Sequence, residues 1–228
     1  RDPSKLKILA LETSTEFCSV ALCEHDTIIH KEVLAIRSHS EILLPMTAEI
    51  LAEAEWTLQQ LNGIAFGSGP GSFTGLRIAC GVAQGLAYAL DLPVVGISTL
   101  EATAESAGQY NVVVALDARM SEIYHAAFQR QNQTWKMISD PTLCSPLQAP
   151  SLPGKTWVAC GSGFEKYQEE LLSVYGDSLL EIRQGLHPHA SAIAALAISR
   201  FSDGTATTPE NAAPVYLRNQ VALKENER

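Results

Sequence analysis

The order of apolar and polar positions along this chain is typical of an α/β protein. An apolar run over residues 7–11 predicts a buried strand, and the runs over 18–23 and 27–33 predict strands that follow it antiparallel. Apolar side chains then recur at helical spacing across residues 40–54 and again across residues 76–90. The pattern therefore predicts three strands and then long helices in the first half of the chain.

The second half of the chain begins the same pattern again. Residues 112–116 predict a buried strand that ends at Asp117, as the first strand ends at Glu12. In both places a polar turn and a return strand follow, starting at Cys18 and at Glu122. This repetition indicates an internally duplicated α/β fold with a cleft between its halves.

The amino-acid composition limits the classes of function that this chain can have. With 228 residues, of which 46% are hydrophobic and 18% charged, the chain has the composition of a folded protein with a sizeable core. No apolar run reaches the length of a membrane span. Five scattered cysteines without a Cys-x-x-Cys pair favour a reduced, cytosolic protein. A net charge of −9 argues against strong direct binding of nucleic acid.

The most informative local feature is a glycine-rich loop over residues 67–77, which reads GSGPGSFTGLR. It joins a strand-like run to the second long helix, and its glycines permit positive φ or the close approach of another surface. Ser72 or Thr74 is expected to cap the helix. Three interpretations are open: close packing of helix on strand, a contact point for a partner protein, or a phosphate cradle. The spacing matches neither the P-loop nor Gly-x-Gly-x-x-Gly.

This loop has a family resemblance when it is taken together with three other segments. The chain reads LALETST over residues 9–15, ALDAR over 115–119 and PVYLRN over 214–219, and with the loop these resemble the bacterial TsaB (YeaZ) proteins. The resemblance covers the chain from about residue 6 to residue 218. It implies an α/β, duplicated two-lobe actin/sugar-kinase/Hsp70-like fold with central mixed sheets.

The resemblance also predicts how the chain is divided. We expect an N-terminal lobe with the dimerisation helices over residues 6–108 and a C-terminal lobe over 109–218. Residues 1–5 begin without Met and are interpreted as an expression remnant, and no secretion signal is visible. The polar residues 219–228 are expected to form a loose tail.

Two strand-end carboxylates mark a candidate nucleotide cleft. In nucleotide-hydrolysing members of this fold, an Asp at each strand end holds a magnesium-bound water, and a Gly two residues later admits the phosphates. Here Glu12 and Asp117 stand at the strand ends, while Ser14 and Arg119 occupy the glycine positions. We interpret this as a decayed site in which Arg119 pairs with a carboxylate, with weak nucleotide binding left open. In the alternative interpretation, the carboxylates only accept hydrogen bonds from turn N–H groups.

Two glycines in the second half of the chain are also candidates for the nucleotide cleft. Gly161 and Gly163 follow a short strand and precede a helix. The resemblance places an adenosine-binding turn here, and a tight strand-to-helix turn explains the glycines equally well.

Neither a catalytic residue, a metal site nor a cofactor is expected. The catalytic paralogue TsaD carries a His-x-x-x-His pair on its first long helix, whereas this chain has His39 with Leu43 four residues later. His187 and His189 flank a proline that splays their rings, and no carboxylate is close to them in sequence. The chain lacks a Gly-x-Ser-x-Gly elbow.

The two long helices are small or apolar over most of their circumference. Such a pair is either buried within the domain's own layers or docks on another protein. The resemblance implies docking, since these helices form the dimer surface in the family. The expected interface residues are Leu43, Met46, Ile50, Ile78, Ala79, Val82, Ala83 and Leu86. A charge at Ala83 or Met46 is expected to abolish the complex without unfolding the chain.

The resemblance implies a supporting role in tRNA modification. The expected function is that of a non-catalytic partner required for threonylcarbamoyladenosine formation in ANN-decoding tRNAs. The chain would bind and activate the transferase TsaD as a heterodimer, act with TsaE, and form a homodimer when alone. Contact with tRNA is expected to be indirect, and the expected location is the cytoplasm, away from membranes. The alternatives are an ATP-hydrolysing enzyme and a glycoprotease-like peptidase.

Overall fold

The computed structural model describes residue 2 and residues 5–218 of the chain. Within this part the strands are β1 (Lys7–Glu12), β2 (Phe17–Glu24), β3 (Thr27–Leu34), β4 (Gly63–Gly69), β5 (Val94–Ser98), β6 (Asn111–Asp117), β7 (Ile123–Gln131), β8 (Thr134–Cys144), β9 (Trp157–Cys160) and β10 (Leu179–Arg183). The helices are α1 (His39–Glu53), α2 (Phe73–Leu90), α3 (Thr99–Ala107), α4 (Ser162–Lys166), α5 (Gln168–Tyr175) and α6 (Ala190–Ser202). Most of the predicted remnant over residues 1–5 and the whole predicted tail over 219–228 lie outside the described residues.

The strands form two five-stranded mixed sheets with the same topology. The order is β3-β2-β1-β4-β5 in the first sheet and β8-β7-β6-β9-β10 in the second. In each sheet the first strand pairs antiparallel with the next strand in sequence, and it pairs parallel with the fourth. The predicted duplicated two-lobe α/β fold with mixed sheets is therefore confirmed.

Side-chain alternation along the central strands produces separate cores on the two faces of each sheet. In β1, Leu9 and Leu11 face the layer of α1 and α2, whereas Ile8 and Ala10 face α6. Both faces are covered, and this explains the near-continuous apolar run that predicted the strand. In the second sheet, α3 packs on one face and α4 and α5 pack on the other.

Helix α6 departs from the prediction that residues 109–218 form a single lobe. Its residues Ile193, Ala194 and Ala197 pack against β1 and β2 of the first sheet, so the chain returns to the first lobe after β10. Thr207 then pairs with Val94 at the edge of that sheet. The physical reason is that α6 covers the face of the first sheet that α1 and α2 leave open.

Candidate functional site

The glycine-rich loop packs tightly against residues that follow β1. The backbone N–H of Ser72 donates to the carbonyl oxygen of Ser14 at 2.9 Å, and the hydroxyl of Thr13 donates to the carbonyl of Gly75 at 2.6 Å. A Cβ atom on Gly75 would overlap the carbonyl oxygen of Thr13. The carbonyl groups of Thr13 and Ser14 thus lie against the loop at the amino end of α2. As predicted, Ser72 caps this helix, with its hydroxyl accepting from the N–H of Gly75 at 3.3 Å.

The other loop glycines also lie against the chain itself. A Cβ atom would meet the Glu12 carboxyl at Gly67, the carbonyl oxygen of Val215 at Gly69, and the Ser14 side chain at Gly71. Of the three interpretations of the loop, the contacts favour close packing, because they fill the space that a phosphate would need.

Replacing Gly75 with Ala is expected to destabilise the protein strongly. The new methyl group would collide with the backbone carbonyl of Thr13, which β1 and the loop hold in place, so no side-chain rotation relieves the overlap. We expect a loss of about 3 kcal/mol or more in the free energy of unfolding, measured by urea titration. The control is Gly81→Ala, since nothing lies within 4 Å of a Cβ at Gly81. Equal stability of the two variants would contradict this account.

Glu12 lies inside the first lobe. Its relative exposure is 1%, and the backbone N–H of Ser14 lies 3.3 Å from each of its carboxyl oxygens. Burial raises the pKa of the Glu12 carboxyl to about 8, so the group is mainly protonated at neutral pH. With its carboxyl buried against the Ser14 N–H, Glu12 fits the alternative interpretation, in which the strand-end carboxyl groups accept hydrogen bonds from turn N–H groups.

Asp117 is more accessible and is neutralised by a different residue from the one predicted. Its Oδ2 atom pairs with Nζ of Lys166 at 3.0 Å, and its Oδ1 atom accepts from the backbone N–H of Arg119 at 3.0 Å. Arg119 was expected to pair with Glu12 or Asp117 through its side chain, whereas only its backbone N–H bonds Asp117. The turn N–H interpretation therefore describes Asp117 better than a direct ion pair with Arg119 does.

Gly161 and Gly163 pack against the neighbouring strand. Gly161 has a φ of 106°, and a Cβ there would overlap the carbonyl oxygen of Ala115. A Cβ on Gly163 would lie 2.9 Å from three atoms of the same alanine. These contacts are those of a tight turn between β9 and α4, which explains both glycines without a ligand.

Each of the three histidines considered from the sequence contacts another group of the chain. Nε2 of His39 lies 2.7 Å from the carbonyl oxygen of Thr15. Nε2 of His187 and of His189 lie 2.8 and 3.5 Å from one carboxyl oxygen of Glu32. Glu32 is 155 residues from His187, so sequence spacing gave no signal of this cluster. Among residues 5–218, no group of three His, Cys, Asp or Glu side chains has the arrangement of a metal site.

The predicted docking residues divide into two groups. Leu43, Ile50, Ala79 and Ala83 are fully buried and Met46 is 5% exposed, because these side chains pack on the first sheet. They form the core, so a charge at Ala83 or Met46 is now expected to unfold the chain. This corrects the predicted surface. The remaining predicted residues are partly buried at the edge of the same core: Ile78, Val82 and Leu86.

The outward face of α2 carries small residues that the prediction did not include. Gly81 and Gly85 are exposed, one helical turn apart, and a Cβ at either would have nothing within 4 Å. Ala89 continues the same line, and the neighbouring Tyr88 is 79% exposed. No charged residue occurs between Ile78 and Leu90 in this helix. This face is therefore uncharged from Ile78 to Leu90, and the exposed Arg77 lies one turn before Gly81.

Comparisons with known proteins assign the family. The chain matches a family model described as TsaD, tRNA N6-adenosine threonylcarbamoyltransferase, over residues 28–222, a match that begins in β3. The tRNA threonylcarbamoyladenosine biosynthesis protein TsaB of Escherichia coli K12 is 38% identical over 231 residues, which cover 96% of this chain and 98% of the relative. The TsaB protein of Haemophilus influenzae Rd is 38% identical over 233 residues, with 96% and 97% covered. The chain belongs to the TsaB family.

Solved structures agree with the TsaB assignment. A Pseudomonas aeruginosa protein, described as uncharacterized with similarity to the peptidase YeaZ, has a TM-score of 0.86 at 37% identity and covers 93% of this chain and 100% of its own. YeaZ from Pseudomonas aeruginosa has a TM-score of 0.83 at 36% identity, with the same coverage. The predicted TsaB (YeaZ) resemblance is thus confirmed. Over the described part of this TsaB-family chain, every helix is too short or too polar to cross a membrane.

Proposed function

We propose that this TsaB-family chain is a non-catalytic partner in the formation of threonylcarbamoyladenosine in ANN-decoding tRNAs. It binds the transferase TsaD as a heterodimer, activates it, and acts together with TsaE. The names of its relatives refer to this modification, and the matching family model describes the transferase itself. A chain that resembles the transferase and in which the strand-end carboxyl group of Glu12 is buried suits a supporting role.

The observation that carries this proposal is the outward face of α2, which is lined by small residues. Gly81 and Gly85 leave room for another helix to approach the backbone closely, as small residues do where helices pack tightly. Ile78, Val82 and Leu86 beside them supply apolar area that remains partly accessible. Uncharged surface of this kind favours a protein partner over water. The same face serves self-association when TsaD is absent.

The cleft supports the non-catalytic part of the proposal. Burial raises the pKa of the Glu12 carboxyl to about 8, Asp117 is paired with Lys166, and the carbonyl groups of Thr13 and Ser14 lie against the loop at the amino end of α2. This arrangement disfavours an ATP-hydrolysing enzyme, because both strand-end carboxyl groups are already engaged with groups of the chain. Mg-ATP binding that is lost on Asp117→Ala would favour that alternative instead.

The charge of the chain supports indirect contact with tRNA. A net charge of −9 repels phosphate groups, so TsaD would hold most of the tRNA. The five cysteines are all free thiols, four of them buried, which suits the reducing cytoplasm that we propose as its location. No cofactor is needed for the docking role.

Reconstitution of the modification is the test. TsaC, TsaD and TsaE would be combined with tRNA, threonine, bicarbonate and ATP, with and without this chain, and modified adenosines counted by mass spectrometry. We expect modification only when the chain is added, and none from the chain alone. Equal modification without the chain would overturn the proposal.

A further inference from the structure

Residues 209–218 run from the first lobe to the second and contact both. This segment, here called the strap, follows the pairing of Thr207 with the edge strand β5. It crosses from the carboxyl end of β4 to the turn after β6.

The first-lobe end of the strap is held by side-chain and backbone hydrogen bonds. Nε2 of Gln84 on α2 donates to the carbonyl oxygens of Pro209 at 3.0 Å and Ala212 at 2.8 Å. The backbone N–H of Val215 donates to the carbonyl of Ser68 at 2.7 Å. The strap is therefore joined to both α2 and the glycine-rich loop.

Gly69 and Phe73 show how closely the strap lies on that loop. The carbonyl oxygen of Val215 occupies the place of a Cβ at Gly69, which has a φ of 125°. At the next residue of the strap, the ring of Tyr216 packs on Phe73 at the start of α2, with 5.1 Å between ring centroids. These contacts hold the strap against the first lobe.

The second-lobe end is held by Leu217 and Arg218. Leu217 packs against the apolar cluster between α3 and the second sheet. The guanidinium of Arg218 pairs with Glu122 at 2.9 Å and donates to the carbonyl oxygen of Ala118 at 3.3 Å. The Arg218 side chain is 16% exposed, so water screens this pair less than an open surface pair.

Arg218 bonds the two residues that flank an unusual turn. Arg119, Met120 and Ser121 are consecutive non-glycine residues with φ values of 61°, 54° and 59°. L-residues seldom adopt this left-handed conformation, which persists when the surrounding structure holds it. The bonds from Arg218 to Ala118 and Glu122 brace the turn from both sides.

We infer that the strap couples the glycine-rich loop of the first lobe to the left-handed turn of the second. Because the strap is bonded to both lobes, the loss of contacts at one end is expected to weaken the contacts at the other end. Release of either end should therefore loosen both the loop and the turn. This inference does not depend on which partner docks on α2.

Hydrogen exchange followed by mass spectrometry tests the coupling. The variants are Gln84→Ala, which removes two side-chain hydrogen bonds at the first-lobe end, and Arg218→Ala, which removes the ion pair and the hydrogen bond at the second-lobe end. Each is expected to speed exchange at least threefold in residues 118–122 and in residues 67–75. The decisive result is faster exchange of the turn in Gln84→Ala, because Gln84 bonds only the first-lobe end of the strap.

The matched control is Arg200→Ala. Arg200 pairs with Glu101 at 3.0 Å between α6 and α3, and its guanidinium bonds neither the strap nor the left-handed turn among the described residues, so the turn should exchange as in the parent protein. The loop is not used as the readout for this control, because Thr99 of α3 bonds Pro70 within it. If each anchor variant loosens only its own end, the coupling is overturned. It is also overturned if Arg200→Ala loosens the turn as much as Arg218→Ala, since that would reflect a general loss of stability.

Discussion

Replacing Gly85 with Leu is expected to weaken binding to TsaD at least 100-fold, or by about 3 kcal/mol, without harming the free chain. A leucine there meets no atom of its own chain within 4 Å of its Cβ, so the monomer accepts it. Its side chain would stand on the face where we place the partner helix and would hold the two backbones apart. Helical glycine is also less favourable than leucine, so the free chain should unfold at a slightly higher temperature.

The prediction is specific because binding to the partner should weaken while the unfolding temperature of the free chain should rise slightly. Binding would be measured by calorimetry or biolayer interferometry, and stability by thermal unfolding of the same preparations. Ser173→Leu on α5 is the matched control, since it adds the same bulk to an exposed helix position beyond the second sheet. Unchanged affinity in Gly85→Leu and Gly81→Leu would place the interface elsewhere.

Much of the fold could be predicted because its central strands are covered on both faces. Residues 7–11 and 112–116 read as continuous apolar runs, and this pattern predicted strands that became β1 and β6. The position of α6 was not predictable in the same way. Its apolar face fits a sheet, but sequence periodicity does not say which of the two sheets receives it.

The site was harder to predict because it depends on which way side chains face. Alternation along β1 puts Glu12 on the same side as Ile8 and Ala10, the side that α6 covers. That signal was present in the sequence, but the resemblance to nucleotide-binding strand ends favoured an open cleft.

The docking helices posed a different difficulty. Because α2 has small residues on every side, its sequence did not distinguish the face packed on the sheet from the outward face. Ala79 and Ala83 were therefore placed in the interface, although both are fully buried. Only the coordinates separate them from Gly81 and Gly85, which are open to solvent.

Glu12→Gln is expected to make the protein more stable by a few kcal/mol at pH 8 and by only about 1 kcal/mol at pH 5. Burial raises the pKa of the Glu12 carboxyl from 4.5 to about 8, so the folded protein holds a proton that the unfolded chain releases. Below pH 4.5 both states are protonated and the group costs nothing. As pH rises from 4.5 towards 8, folding must take up this proton and stability falls.

Glutamine has a similar shape and no proton to lose, so it should remove this pH dependence. Its side-chain oxygen can still accept the hydrogen bond from Ser14 N–H, which the Glu12 carboxyl accepts at 3.3 Å. Urea unfolding of both proteins at pH 5, 6, 7 and 8 measures the effect, and the comparison between the two proteins cancels the contributions that other titrating groups make to both. The two stability curves should diverge steadily with rising pH. Parallel curves would mean that Glu12 is already ionised in the folded state, and the cleft would then contain a charged carboxylate able to attract a cation.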